Sequence, residues 1–324
     1  MQRRVSSESK KPKKEVKEGD LLTASLAPST IVKYERHVGL FYDWLHVHGH
    51  QPSTTIELDL LLSSYLQQLY DSGSGKAAAA STVYGLNLSQ PGITKQLPYS
   101  LKSLQGFQKL KPSKQHPPLP WPVTCVIAVA MWRRGYLREG IVTLLAFDCY
   151  LRINEALELR REDVALGEDV RLGAGRPDRL YLRLDTTKTG PNKGVEVLNG
   201  DVKKLVLLVI DCIKPRMRLF PFTDDHYRRI FHYVCDDLKL APDYVPHSLR
   251  HGGATYGFLC DMPLADIIIR GRWQSERSGT HYIQTFRSVM MQRSIPPLVA
   301  TAAKYIMSRS LFDQFGESIG VTIR

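Results

Sequence analysis

The sequence has little cysteine and spends none of it in pairs. Five cysteines occur in 324 residues, Cys125, Cys149, Cys212, Cys235 and Cys260, and no two stand at CxxC spacing. A dispersed, odd-numbered set argues against a disulfide framework and against a cysteine-rich zinc site. Long apolar runs are also missing. The longest, residues 123–132 and 205–213, fall short of the roughly 18 residues that a membrane-spanning helix needs, so no membrane span is expected. The chain opens Met-Gln-Arg-Arg and stays polar through residue 20, which is unlike a secretory signal. It has no GxxxxGK[ST] phosphate loop and no acidic cluster suited to two-metal chemistry. Neither a nucleotide nor a metal is therefore expected as a cofactor. There is no internal repeat.

What is abundant is positive charge. Lysine and arginine number 44 against 32 acidic residues, a formal net charge of +12. That excess points to a polyanionic partner, nucleic acid first and an acidic membrane surface second. With 43% hydrophobic and 23% charged residues, the chain has the composition of a globular protein able to bury a sizeable core. Its length fits one large or two ordinary domains.

Residues 1–25 are polar and lysine-rich and read as a disordered basic tail. The cluster Lys10-Lys11-Pro12-Lys13-Lys14 reads equally as a solvating tail, a nuclear import signal or a DNA-grazing arm. Residues 26–110 read as a small all-helical domain. Its first helix, N-capped at Thr30, places Ile31, Tyr34, Val38, Phe41 and Trp44 at helical spacing. Further helices are expected over 55–69, 77–86 and 99–110. Residues 111–123 hold five prolines, too many for a helix, and form a stiff linker. The second domain, 124–300, is expected to carry helices at 124–134, 139–150, 201–213, 224–238, 247–259 and 263–271. Between them the strands 180–187 and 194–198 flank the turn KTGPNK. From Tyr282 onward the chain reads as helical with a break at Pro296-Pro297, and 301–324 is a C-terminal helix or tail. The fold class is thus mainly α with a small β-hairpin, an α+β arrangement.

Five short patterns stand in order along the second domain. RINE carries Arg152 and Glu155. TTKTG places Lys188 at the hairpin tip. HSLRH puts His247, Arg250 and His251 on one helix face, since positions three and four apart are neighbours there. GRW contributes Trp273, 23 residues after Arg250, and THYIQ contributes Tyr282, nine residues after Trp273. Each has an ordinary reading when taken singly. HSLRH has the i, i+4 histidines of a zinc helix, but it lacks the glutamate and the third ligand that such a site needs. Glu155 could serve a helix ion pair, Lys193 competes with Lys188, Trp273 could be core, and Tyr256 is the nearest rival to Tyr282.

The ordered set resembles the tyrosine recombinases, the phage integrase family. RINEALELRREDV resembles the family's first arginine box, TTKTG its hairpin lysine and HSLRH its His-x-x-Arg-His box. GRW stands where most members have Gly-His and some have tryptophan. Tyr282 stands at the nucleophile's place. The resemblance covers roughly residues 25–300. It implies a helical DNA-clamp domain followed by a recombinase-type catalytic domain. It also implies double-stranded DNA as partner, a homo-tetramer on two DNA sites, and cutting and rejoining through a 3′-phosphotyrosyl link without metal, ATP or small-molecule cofactor. The implied location is intracellular and DNA-associated, nuclear in a eukaryote and otherwise cytoplasmic or in the nucleoid. The lysine-rich tail and the tryptophan tilt the reading towards a mobile-element recombinase.

Chemistry suits these residue types. Arg152 and Arg250 offer planar donor forks to the non-bridging oxygens of a phosphodiester, and His247 and the Trp273 indole add single donors. Lys188 can protonate the leaving oxygen. A cationic nest lowers the cost of ionising Tyr282. Glu155, one helix turn from Arg152, orients the site, and the resemblance implies a supporting acid/base role for His251. Two other readings remain: a silent DNA-binding protein on the same fold, and a relaxing topoisomerase of the type IB kind with the same nucleophile. The resemblance further implies a last helix that docks on a neighbouring subunit, for which residues 306–315 are a candidate.

Overall fold

A computed structural model describes residues 26–112, 115–167, 179–184 and 193–320. The chain packs as two compact units, with the division between Lys114 and Gln115.

Among its described residues the first unit holds four α-helices: α1 (Pro28–Val47), α2 (Thr55–Asp71), α3 (Lys76–Ser89) and α4 (Pro98–Leu110). The first begins two residues before the expected Thr30 cap. Pro28 occupies its opening turn after an extended Ala27, with no side-chain cap. Proline is at ease there because its missing N–H is one the helix leaves unpaired anyway. The second helix has a capping box: the Thr54 hydroxyl accepts from the Glu57 N–H at 3.2 Å, and the Glu57 carboxylate accepts from the Thr54 N–H at 3.3 Å. Buried Asp59, on α2, accepts from the backbone N–H groups of Tyr99 (2.8 Å) and Ser100 (2.9 Å). One carboxylate thus satisfies two donors at the start of a helix some forty residues away. Phe41, Leu62, Leu66, Val83, Leu86, Leu104 and Phe107 form the core.

In the second unit the chain runs α5 (Trp121–Trp132), α6 (Leu137–Asp148), α7 (Ile153–Glu158), β1 (Val164–Leu166), β2 (Leu180–Leu184) and β3 (Lys193–Glu196). It continues through α8 (Gly200–Asp211), α9 (Asp224–Asp237), α10 (His247–Leu259), α11 (Leu264–Gly271), α12 (Glu276–Thr280), α13 (Thr285–Gln292), α14 (Pro297–Met307) and α15 (Leu311–Ser318). Helix α5 starts three residues earlier than expected, inside the proline-rich stretch, because Pro120 caps it and Pro122 fits its first turn. It is apolar around its whole circumference and buried almost throughout, as a central helix must be.

The sheet is larger than the expected hairpin. Three antiparallel strands run β1-β2-β3, with Val164 opposite Leu182 and Tyr181 opposite Glu196. Leu180, Leu182 and Leu184 point inward while Arg183 points out, the period-two alternation of a one-sided sheet. Residues 306–315 do not form the single docking helix expected of them. They span the end of α14, a turn and most of α15, and Ile306, Leu311 and Phe315 are buried in the unit's own core. Asp201 at the start of α8 fixes that turn by accepting from the Leu311 N–H at 2.7 Å and from the Ser310 hydroxyl at 3.1 Å. No described helix is long and apolar enough to cross a membrane.

Candidate active site

The chain brings most of its singled-out residues to one place in the second unit. Helix α10 supplies His247, Arg250 and His251 from one face, and it lies close against α6. A side chain on Gly253 would collide with the Phe147 carbonyl and the Tyr150 ring. Helix α11 ends at Gly271, and Arg272 follows in the left-handed region, φ 57°, which turns Trp273 back over Gly271. Any Cβ on Gly271 would enter the Trp273 ring. Tyr282 lies in the turn between α12 and α13.

The rings pack around Tyr282. Its phenol stacks on His251 with centroids 4.5 Å apart and tilts against Trp273 at 4.6 Å. His247 meets it edge-on at 5.6 Å. The Arg250 guanidinium carbon lies 5.0 Å from the Trp273 ring and 5.3 Å from the Tyr282 ring. The rival Tyr256 instead packs on Phe147, outside this group.

Arg250 is fully buried. It donates to the Gly271 carbonyl at 2.6 Å and to the Tyr150 carbonyl. Arg152 stands one residue before α7, as its N-cap. Its N–H donates to Glu155 at 2.8 Å and its guanidinium to the other carboxylate oxygen at 2.6 Å. Glu155 also takes Arg272 at 2.9 Å and lies 3.6 Å from Arg250. Burial raises the Glu155 carboxyl, but Arg272, the Arg152 N–H, Arg250 and Arg152 together outweigh it and hold the group below the usual carboxylate range. Among the described residues, two buried donors beside Tyr282 have no hydrogen-bond partner: Arg250 Nε and Trp273 Nε1. Native interiors rarely leave such groups unmatched without a functional reason.

Both histidines are held neutral. Burial, helped by Arg250 and His116, pushes His247 down to about 4. Burial, helped by His247 and His281, pushes His251 down to about 3. The Gln284 side-chain amide donates to His251 Nδ1 at 2.9 Å, which leaves the ring proton on Nε2. The Thr255 hydroxyl donates to the Tyr282 carbonyl and accepts from the Gln284 N–H, both at 3.1 Å, and so pins the tyrosine's turn to α10.

Lys188 lies among residues 185–192, outside the described residues, as does the basic cluster at 10–14. Sequence reasoning missed Arg272, the Tyr150 carbonyl, Thr255, Gln284 and His116. Arg272 and Gln284 stood inside the quoted motifs GRW and THYIQ, so a scan of every polar residue within those motifs finds both. The Tyr150 carbonyl leaves no trace in side-chain chemistry.

The sequence matches no protein-family profile and no curated protein. Solved structures do match in shape. The integrase of transposon Tn1549 in complex with transposon right-end DNA aligns at TM-score 0.57 and 14% identity, covering 85% of this chain and 98% of that one. The same integrase with a circular-intermediate DNA aligns at TM-score 0.52 and 14% identity, covering 79% and 98%. XerA recombinase aligns at TM-score 0.43 and 13% identity, covering 81% and 99%.

Proposed function

We propose that this chain, which has the fold of the tyrosine recombinases, is a site-specific DNA recombinase that cuts and rejoins double-stranded DNA through Tyr282. The observation that carries the reading is the pair of unmatched buried donors, Arg250 Nε and Trp273 Nε1, beside the Tyr282 ring. A phosphodiester oxygen completes both. Arg152, half-buried beside Glu155, supplies the second guanidinium. Neutral His247 donates from one ring nitrogen. The site is dry enough for such donors to be worth roughly 3 kcal/mol each in the transition state.

In the proposed step the Tyr282 oxygen attacks phosphorus and the P–O5′ bond breaks. A 3′-phosphotyrosyl ester forms, and the leaving 5′ oxygen takes a proton from Lys188. The phenol proton leaves to solvent, because the acceptor nitrogen of His251 is already taken by the Gln284 amide. Attack by another strand's 5′ hydroxyl reverses the step and rejoins the DNA. The energy of the broken bond is kept in the ester, so no nucleotide is consumed. Recombination joins two sites, so four copies act together. The basic charge and the likeness to a transposon integrase support a mobile-element role in which the protein works on DNA inside the cell.

Covalent trapping tests this. Wild type, Tyr282→Phe and Trp273→Phe are mixed with nicked duplexes from DNA flanking the reading frame and with a randomised pool, then denatured. An adduct mapped to Tyr282 and lost in the Phe variant supports the reading. Trp273→Phe keeps a ring and loses the donor, and adduct formation should slow on the order of a hundredfold. Salt-dependent binding without an adduct would instead indicate a silent DNA-binding protein. Relaxation of supercoils by a monomer without site preference would indicate a topoisomerase.

A further inference from the structure

The left-handed Arg272 is unexpected. That backbone conformation is where glycine usually ends a helix, yet this chain places there a long cation whose side chain is 2% exposed. The guanidinium meets four acceptors. They are Glu155 Oε2 and the Tyr150 carbonyl, both at 2.9 Å, the Cys149 carbonyl at 3.1 Å and the Arg270 carbonyl at 2.7 Å. Tyr150 is left-handed too, φ 49°, so two strained residues meet at one hydrogen bond.

These acceptors are shared with the phosphate-directed arginines. The Tyr150 carbonyl also takes Arg250, and Glu155 also takes Arg152. The remaining acceptor of Arg250 is the carbonyl of Gly271, the residue bonded to Arg272. Arg250 and Glu155 meanwhile stay 3.6 Å apart, too far for a good hydrogen bond.

We infer that Arg272 is a positioning residue. It occupies Glu155 and the Tyr150 carbonyl, so that the carboxylate does not draw Arg250 towards itself and both Arg152 and Arg250 stay aimed at a phosphate. This rests on the DNA-cleavage reading above. The charged groups facing Glu155 are Arg152, Arg250 and Arg272. Loss of Arg272 leaves the buried carboxylate one cation poorer and Arg250 free to close on it.

The test uses the full chain and two readouts. Crystal structures are determined for Arg272→Gln, Arg272→Lys and the double variant Glu155→Gln with Arg272→Gln. Tyr282 adduct formation is then timed at saturating nicked DNA, with DNA affinity measured separately. In Arg272→Gln, Arg250 should move from 3.6 Å into direct contact with Glu155. Adduct formation should slow on the order of a hundredfold, the usual cost of a misplacement near 1 Å, while affinity changes much less. Arg272→Lys should recover part of the rate. The double variant should be faster than Arg272→Gln, because the charge that pulls Arg250 is gone.

An unchanged Arg250–Glu155 separation in Arg272→Gln, or a rate near wild type, overturns the inference. Should Arg272→Gln not fold, Arg272→Lys decides, since one ammonium cannot span the carboxylate and the Tyr150 and Cys149 carbonyls. Wild-type geometry and rate in that variant overturn the inference as well. If the wild type forms no Tyr282 adduct, the cleavage reading fails, and the crystallographic separation alone judges the positioning claim.

Discussion

At the scale of the residue, the candidate site is made of groups held away from their solution preferences. His247 and His251 are neutral because burial and neighbouring positive charge weaken their hold on a proton. Their folded pKa values lie below the ordinary value of 6.5, so the unfolded chain binds protons that the folded chain refuses. Stability is therefore fully present above about pH 6.5 and is lost as the pH falls towards the folded values near 4 and 3. Between pH 6 and about 5 the two rings together should lower stability by at most about 3 kcal/mol per pH unit. Urea midpoints of the second unit, read by tryptophan fluorescence across that range, check this. His251→Gln should halve the slope. Glu155, also depressed, adds a loss of the same sign only below about pH 4.5.

At the scale of the element, capping and close approach decide where helices sit. Asp59→Ala removes the acceptor of two N–H groups and of the Ser100 hydroxyl inside the first unit. The cost should be roughly 3 kcal/mol, seen as earlier melting of that unit with adduct formation by the folded fraction unchanged. Helices were the legible part of this chain. Phe41 and Trp44, or Leu62 and Leu66, announce a buried face by spacing alone, and HSLRH opens α10 at His247 as read. The start of α5 was not legible, because a run of prolines predicts a linker until Pro120 and Pro122 are seen to fit a first turn. Strand β1 was hidden as well. Three residues give no alternation to count, and only pairing with β2 across residues distant in sequence makes them a strand. In the site, HSLRH, GRW and THYIQ carried His247, His251, Arg250, Trp273 and Tyr282 through order and spacing. The part played by Arg272 could not be read, because it follows from a backbone angle and from main-chain carbonyls, which no residue type encodes.

At the scale of the whole molecule, the net charge of +12 should make DNA affinity fall steeply with salt. Lys10, Lys11, Lys13 and Lys14 offer a direct check. If the tail grazes DNA, replacing all four by alanine should reduce the slope of log affinity against log salt by about 3 to 4, measured by fluorescence anisotropy on one duplex. An unchanged slope would assign them to solvation or import. The central helix α5 has a consequence for synthesis. Its Trp132 ring is covered edge-on by Phe315, centroids 5.2 Å apart, and 183 residues separate the two. A ribosome adding about 5–20 residues per second takes on the order of ten to forty seconds to make that cover. Helix α6 covers one side of α5 early, but until α15 is made the nascent chain leaves another apolar side of that helix uncovered. The protein should therefore lean on a holding chaperone during translation. A chain stopped after Met307, lacking α15, should accumulate as aggregate in cells at the same transcript level that yields soluble full-length protein.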